Sequence, residues 1–245
     1  MRWKQSKRGE IYELGRHRLM CGDATIESDV AQLLGGRLAD MCFTDPPYNV
    51  DYTGKTSAAM KLQNDRMGDE AFRVFLRDAF LAMRPHLRDG APFYVCHADK
   101  KSAHFSGALW AADFVTSQVL IWVKNHFALG RSDYHYQHEP ILYGWKPGAR
   151  HTWYGARKQR SVWFFPKPSR NVLHPTMKPI ALVSLAIANS SKPGDIVLDT
   201  FGGSGSTMIA AEDSDRTAFV MELDPHYCDV IRRRFADHVA SKTAA

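Results

Sequence analysis

The stretch DIVLDTFGGSGST, residues 195 to 207, decides the fold of this chain. An apolar run ends on Asp199, and glycines at 202, 203 and 205 lead into the helix-forming segment STMIAAEDS. Those glycines let the backbone turn sharply and let a ligand come close, which is the logic of nucleoside-cofactor sites at strand ends in open α/β sheets. Two alternatives fall away. A dinucleotide fingerprint needs a third glycine where the chain has Met208, and a phosphate-cradling loop needs a Gly-Lys-Ser/Thr that is absent.

Working outward, FVMELDP ends another expected strand on Glu222, 23 residues past Asp199. An acid about 20 residues beyond a glycine turn is placed to accept hydrogen bonds from both ribose hydroxyls. Asp199 would repel a pyrophosphate but hold a cation or an amino group. A cofactor with a ribose and no pyrophosphate satisfies both acids, and S-adenosylmethionine, with its ammonium, is such a molecule. Either acid alone is ordinary at a strand end or a helix cap; their spacing around the glycine loop carries the reading.

Upstream, CFTDPPYNVDY (42 to 52) follows a short apolar stretch. Prolines cannot continue a central strand, so the chain leaves the sheet at Asp45, and Asp45 and Tyr48 stand at a strand's carboxyl end. Strand and helix signals alternate on both sides. ADMCFT, APFYVCHA and VLIWVK read as strands. DEAFRVFLRDAFLAMRPHL reads as a helix capped by Asp69, with a second helix around SAHFSGALWAA. Later, IALVSLAIANS is an expected helix, DIVLDTF a strand, STMIAAEDS a helix, TAFVMELD a strand and HYCDVIRRRFADHVA a closing helix. This alternation defines an α/β layer architecture with a mainly parallel sheet flanked by helices.

The 245 residues, 44% of them apolar, suit a single domain with a sizeable core. No apolar run reaches the roughly 18 to 20 residues of a membrane helix, and MRWKQSKRGE lacks a signal peptide's apolar stretch, so the expected setting is soluble and cytoplasmic. Cys21, Cys42, Cys96 and Cys228 lack zinc-finger spacing and are expected to be reduced. Net charge is +6, and residues 140 to 194 hold nine Lys or Arg without one Asp or Glu. Aromatic rings are interleaved with these cations, which suits either a nucleic-acid surface or a solvated basic loop over core aromatics. Gly and Pro break both periodicities at about 144 to 173, where we expect an irregular or β-rich insertion hanging over the sheet's active edge. His135, His138 and Glu139 in YHYQHE are weak grounds for a metal, and RRR at 232 to 234 reads as a solvated face within reach of DNA.

Taken together, TDPPY, HPTMKP, DTFGGSGST and MELD resemble the motif set of DNA amino-methyltransferases, and their order resembles the β group. The resemblance spans about 19 to 236 and implies a Rossmann-like class I S-adenosylmethionine-dependent fold with a small target-recognition insertion. It implies a catalytic half at about 19–143, the insertion at about 144–173 and a cofactor half at about 174–236. With no extra domain ahead of LMCGDA, a nearly minimal catalytic unit is expected. By resemblance, Asp45, Pro46, Pro47 and Tyr48 hold the exocyclic amine. Asp23 and Ala24 of LMCGDA, together with Asp45, would line the cofactor site. So would His174, Pro175, Thr176 and Lys178 of HPTMKP, where Thr176 and Lys178 would meet the methionine carboxylate. The glycine motif would add Asp199, Phe201, Gly203, Ser204, Gly205, Ser206 and Thr207, followed by Glu222, Leu223 and Asp224. DNA contacts are expected from Arg150, Trp153, Tyr154, Arg157, Lys158 and Arg160, and no metal is needed.

The implied chemistry is positional. Asp45 and the Pro46 carbonyl would accept the two N–H bonds of the amine and localise its lone pair on the sulfonium methyl. The prolines would stiffen the loop, and the Tyr48 ring would stack on a base flipped out of the duplex. The acidic form of the motif resembles the adenine-N6 members, so N6-methyladenine in DNA is the expected product. Cytosine N4 and a catalytically inactive DNA-binding module stay open as alternatives. A homodimer is an analogy with the β group, and a role in restriction and modification would need a cognate nuclease.

Overall fold

A computed structural model of the protein describes residues 4–50, 67–129, 133–167 and 177–243. In chain order the described elements are β1 (Ile11–Leu14), β2 (His17–Cys21), α1 (Glu27–Leu34), β3 (Met41–Thr44), α2 (Asp69–Met83), β4 (Pro92–Cys96), α3 (Ser102–Ala111) and β5 (Val115–Val123). There follow β6 (His138–Trp145), β7 (Val162–Phe164), α4 (Ile180–Ser190), β8 (Ile196–Asp199), α5 (Ser206–Asp213), β9 (Thr217–Glu222) and α6 (Pro225–Thr243).

Successive strand residues face opposite sides, and the strands are therefore apolar on both. In β3, Cys42 joins a cluster with Leu33, Leu76, Phe80 and Phe105 of α1, α2 and α3. Its neighbours Met41 and Phe43 join Leu182, Ile187, Ile209 and Ile231 of α4, α5 and α6. The same alternation divides Phe93 and Val95 from Tyr94 and Cys96 in β4. Helix layers thus cover both faces of one sheet, in the order β1, β2, β9, β8, β3, β4, β6, β5, β7. Neighbours from β2 through β4 are parallel. The sheet's continuity decides where the site forms: β8 lies between β9 and β3, so the segment after the insertion docks beside the strand that leads into Asp45.

Three expectations change. Asp69 is not a cap: Gly68 holds that position without a side-chain bond, and the Asp69 carboxylate pairs with Lys101 at 2.7 Å. The segment HEPILYGW forms β6, which runs antiparallel between β4 and β5 and carries the chain away from the active edge. Consequently most of the insertion's described residues do not hang over that edge. Thr152 N donates to Gly90 O at 3.2 Å, beside the start of β4, and only β7, parallel to β5, leads the chain back. Gly90 has φ +77°, and a Cβ there would lie 2.4 Å from Arg150 O, so glycine is required for this close approach. Finally, Arg232 and Arg234 are not solvated: Arg232 is buried against Asp229 and Ser6, and Arg234 reaches the glycine loop. Arg233 alone of the three is exposed.

Among the described residues no helix is long and apolar enough to cross a membrane, and all four cysteines are buried and free.

Candidate active site

Strands β8 and β9 end side by side, and the glycine loop folds over them because nothing larger fits. Gly202 N donates to Met221 O at 2.7 Å, and a Cβ at Gly202 would lie 2.4 Å from Val220 Cγ1. Gly205 takes φ +80° at the start of α5, a left-handed conformation that glycine adopts without steric cost. Arg234 Nη1 braces the loop from α6, 2.8 Å from Ser204 O and 3.0 Å from Ser204 Oγ. Sequence reasoning missed that brace.

Asp199 is buried at the end of β8 and receives three donors: Thr44 Oγ1 at 3.0 Å, Thr207 Oγ1 at 2.6 Å and Phe201 N at 3.1 Å. Burial nevertheless outweighs these hydrogen bonds and raises its pKa to about 6. Glu222 ends β9 and is oriented by backbone donors, Gly203 N at 2.8 Å and Asp224 N at 2.9 Å, one on each oxygen. Burial raises it to about 7 against those two bonds. Each carboxylate oxygen has more than one acceptor site, so Glu222 retains capacity for hydroxyl donors.

Across the cavity, Asp45 leaves β3 into the two prolines. Lys178 Nζ, two residues ahead of α4, lies 2.5 Å from Asp45 Oδ2, and Tyr48 donates its hydroxyl hydrogen to Oδ1 at 2.7 Å. Lys178 was expected at a methionine carboxylate; in the structure its ammonium sits on Asp45. The Tyr48 phenol, whose ring was expected to face the base, is also a donor to Asp45. Asn49 follows with φ +55° and clamps the returning chain, its side chain exchanging two bonds with the Met67 backbone at 2.8 and 2.6 Å.

Two further residues complete the cluster. Glu139 on β6 stands 3.3 Å from Lys178 Nζ and accepts from Lys124 Nζ at 2.5 Å. Burial would raise Glu139, but the two ammonium groups hold it at about 2. Burial also disfavours charge on Lys178, yet Asp45 and Glu139 outweigh it and raise its pKa, so it is an ammonium. Asp45 is raised above the usual carboxylate range, by burial first and by Glu139 as well, against the pull of Lys178. One signal for Glu139 and Lys124 was present in the sequence: each is a charge directly flanking an apolar strand run, Lys124 just after VLIWV and Glu139 just before PILYGW. Such charges are rarely buried unless paired.

These groups share one cavity of about 300 Å³ at the carboxyl edge of the parallel strands, the size at which small-molecule sites begin. It is lined by Asp23, Ala24, Asp45, Pro46, Pro47, Tyr48, Lys178, Asp199, Phe201, Gly203, Ser204, Ser206, Thr207, Glu222, Leu223 and Asp224, all expected there. Gly205 is not a wall; it turns the loop. Asp23 is held by Thr25 N and Oγ1, at 3.0 and 2.7 Å on one oxygen. His174, Pro175 and Thr176 lie outside the described residues.

The six residues expected to touch DNA are not brought to this cavity. Arg150 packs at the start of β4, and Tyr154 N donates to Asn189 O at 2.7 Å, at the far end of α4. Nine residues of helix separate Ile180 from Asn189, about 14 Å at 1.5 Å per residue. Trp153, Arg157 and Arg160 line a separate cavity with Tyr143 and Asn189, and Lys158 is exposed. Among the described residues of that segment only Lys167 returns to the first cavity, with its backbone N–H on Asn125 Oδ1 at 2.9 Å.

A doubly covered α/β sheet with a glycine loop, two paired acids and an Asp-Pro-Pro-Tyr turn at one edge defines a nucleoside-cofactor-binding enzyme class. The chain belongs to the N6/N4 DNA methylase family, whose profile matches residues 39–233. It is 27% identical to the DNA adenine methyltransferase YhdJ of Escherichia coli over 91% of this chain and 85% of that one. Solved structures share the fold. The complex of M1.HpyAVI with SAM superposes at TM-score 0.69, with 23% identity over 88% of this chain and 97% of its own. The cytosine-N4-specific PvuII DNA methyltransferase superposes at 0.70, with 15% identity over 96% and 95%.

Proposed function

We propose that this DNA methylase transfers the methyl group of S-adenosylmethionine to N6 of an adenine flipped out of DNA. The observation that carries the reading is the joining of Asp45 and the glycine loop in one cavity, with Thr44 of the Asp45 strand bonded directly to Asp199. The residues suit the cofactor: Glu222 for a ribose, a buried Asp199 near an ammonium, and a loop whose glycines permit close approach. When bound, the cofactor supplies an electrophilic methyl on sulfur.

The chain's own groups then act on the amine. Asp45 and the Pro46 carbonyl accept its two N–H bonds, which concentrates the lone pair on nitrogen and stabilises the positive charge that develops during attack. Loss of one proton from the methylated nitrogen completes the reaction. Asp45, with its raised pKa, is suited to take that proton, and the neutral aminomethyl product remains. Tyr48 presents its ring to the base, and stacking offsets part of the unstacking cost. Adenine is favoured by the acidic motif and by the name of the YhdJ relative, while the PvuII likeness shows that the fold alone does not choose the base.

With DNA as substrate, the reading carries with it a cytoplasmic site of action. It leaves a single copy or a homodimer equally suited to the chemistry. The deciding experiment is tritiated-methyl transfer to unmethylated genomic DNA, followed by mass spectrometry of the digest. N6-methyladenine formed by the wild type, and no product from Asp45→Ala with cofactor binding retained, is the expected result. N4-methylcytosine would replace the base assignment, and a fully active Asp45→Ala would overturn the site.

A further inference from the structure

The inference rests on Asp45 as the amine acceptor. Both oxygens of that carboxylate are engaged in the structure, Oδ2 by Lys178 at 2.5 Å and Oδ1 by the Tyr48 hydroxyl at 2.7 Å. An amine that binds the same oxygens has to displace these donors. Both donors already face one other acceptor: Glu139 Oε2 is 3.3 Å from the Lys178 ammonium and 3.2 Å from the Tyr48 hydroxyl. Glu139 is fixed from behind, its Oε1 lying 2.5 Å from Lys124 Nζ.

We propose that Glu139 is a positioning residue for methyl transfer, the second station onto which Lys178 and Tyr48 shift their hydrogen bonds when the target amine takes Asp45. An ammonium has three donors and no acceptor, and Lys178 already touches Asp45, Tyr48 and Glu139. It therefore exchanges one carboxylate for the other without losing its counter-ion. Asp45 and Glu139 balance Lys124 and Lys178 in either arrangement, so no unpaired charge is created in a buried site where one would be costly. Without the Glu139 charge, Lys178 stays on Asp45 and competes with the amine. Lys124 serves by keeping Glu139 in place.

The groups facing Asp45 are Lys178 ahead of α4, Tyr48 in its own turn, Glu139 on β6, Cys96 at the end of β4 and Asp199 at the end of β8. Glu139 raises the Asp45 pKa and Lys178 lowers it. Removing the Glu139 charge therefore moves Asp45 toward lower pKa.

The test uses the full chain, with Glu139→Gln and the double variant Glu139→Gln/Lys124→Met. The double variant avoids leaving Lys124 buried without its partner. Single-turnover methyl transfer is expected to fall by at least about thirtyfold in both, while cofactor affinity stays within about threefold of wild type. The acid limb of kcat/KM is expected to move to lower pH. Transfer within about twofold of wild type in the double variant would overturn the proposal, and so would a slower rate with the acid limb unmoved, the mark of a purely structural role. The underlying reading fails separately: an active Asp45→Asn removes it. An inactive Asp45→Asn beside fully active Glu139 variants removes only the role of Glu139.

Discussion

Ser206 Oγ donates to the carbonyl of Lys178 at 2.9 Å, so the first residue of α5, just past the glycine loop, holds the backbone that aims Lys178 at Asp45. The glycine loop and the Asp45 carboxylate are thereby coupled through one hydrogen bond and one ion pair.

Replacing Lys178 by Met leaves Asp45 and Glu139 buried together without the cation they share. Breaking a buried ion pair on one side costs about 3–5 kcal/mol. Glu139, held at about 2 in the native protein, loses one of the two charges that hold it there. The loss of melting temperature should be larger at pH 8 than at pH 5, where protonation relieves the repulsion. Equal losses at the two values would show that charge is not its source.

Cofactor affinity should depend on pH through Glu222 and Asp199. Their native pKa values, about 7 and about 6, lie above the ordinary 4.5 and 3.8. The folded protein thus holds protons that the unfolded chain has released, and these two groups reduce stability as pH rises from about 4 to 7. A cofactor that needs both acids ionised expels those protons. Its affinity should weaken by roughly tenfold per pH unit between about 7 and about 6, where Glu222 takes up its proton, and more steeply below about 6, where Asp199 does so too. Calorimetry at pH 6.5 in buffers of different ionisation enthalpy should register proton release, and proton uptake would contradict the assignment.

Glu222→Ala removes the acceptor of two backbone donors along with the expected ribose contacts. Hydrogen bonds to charged groups contribute about 1.5–3 kcal/mol each. The loss should be at least a hundredfold in cofactor affinity, roughly 2.7 kcal/mol. Equilibrium dialysis with labelled cofactor measures it.

Gly202→Ala places a methyl 2.4 Å from Val220 Cγ1 and 3.2 Å from Met221 O. Such overpacking costs about 1–3 kcal/mol and should lift the loop from β9, weakening cofactor binding as well. Gly107→Ala on α3 meets nothing within 4 Å and should be neutral or stabilising by up to about 1 kcal/mol. Chemical denaturation of both variants compares a tight position with an open one.

Lys167 lies at the cavity, whereas Arg157 and Arg160 line another. If DNA is bound beside Lys167, Lys167→Ala should lower the slope of log affinity against log salt by about one. The double replacement of Arg157 and Arg160 by Ala should change it less. The reverse order in gel-shift titrations would move the DNA path to the basic insertion.

Residue order alone made legible the parts written in neighbouring residues. The glycine loop, the proline turn after Asp45 and the helix Ile180–Ser190 each follow from turn chemistry or periodicity within about a dozen positions. What those parts face was settled by folding. Lys178 meets Asp45 across 133 positions and Glu139 meets Tyr48 across 91, distances over which no local pattern fixes a partner. The antiparallel run of β6 did both jobs at once: it brought Glu139 to the site and carried Arg150 and Trp153 away from it. Strand direction and register come from how the whole sheet buries its two faces, and the same residues, read singly, resemble a weak metal motif and a basic loop.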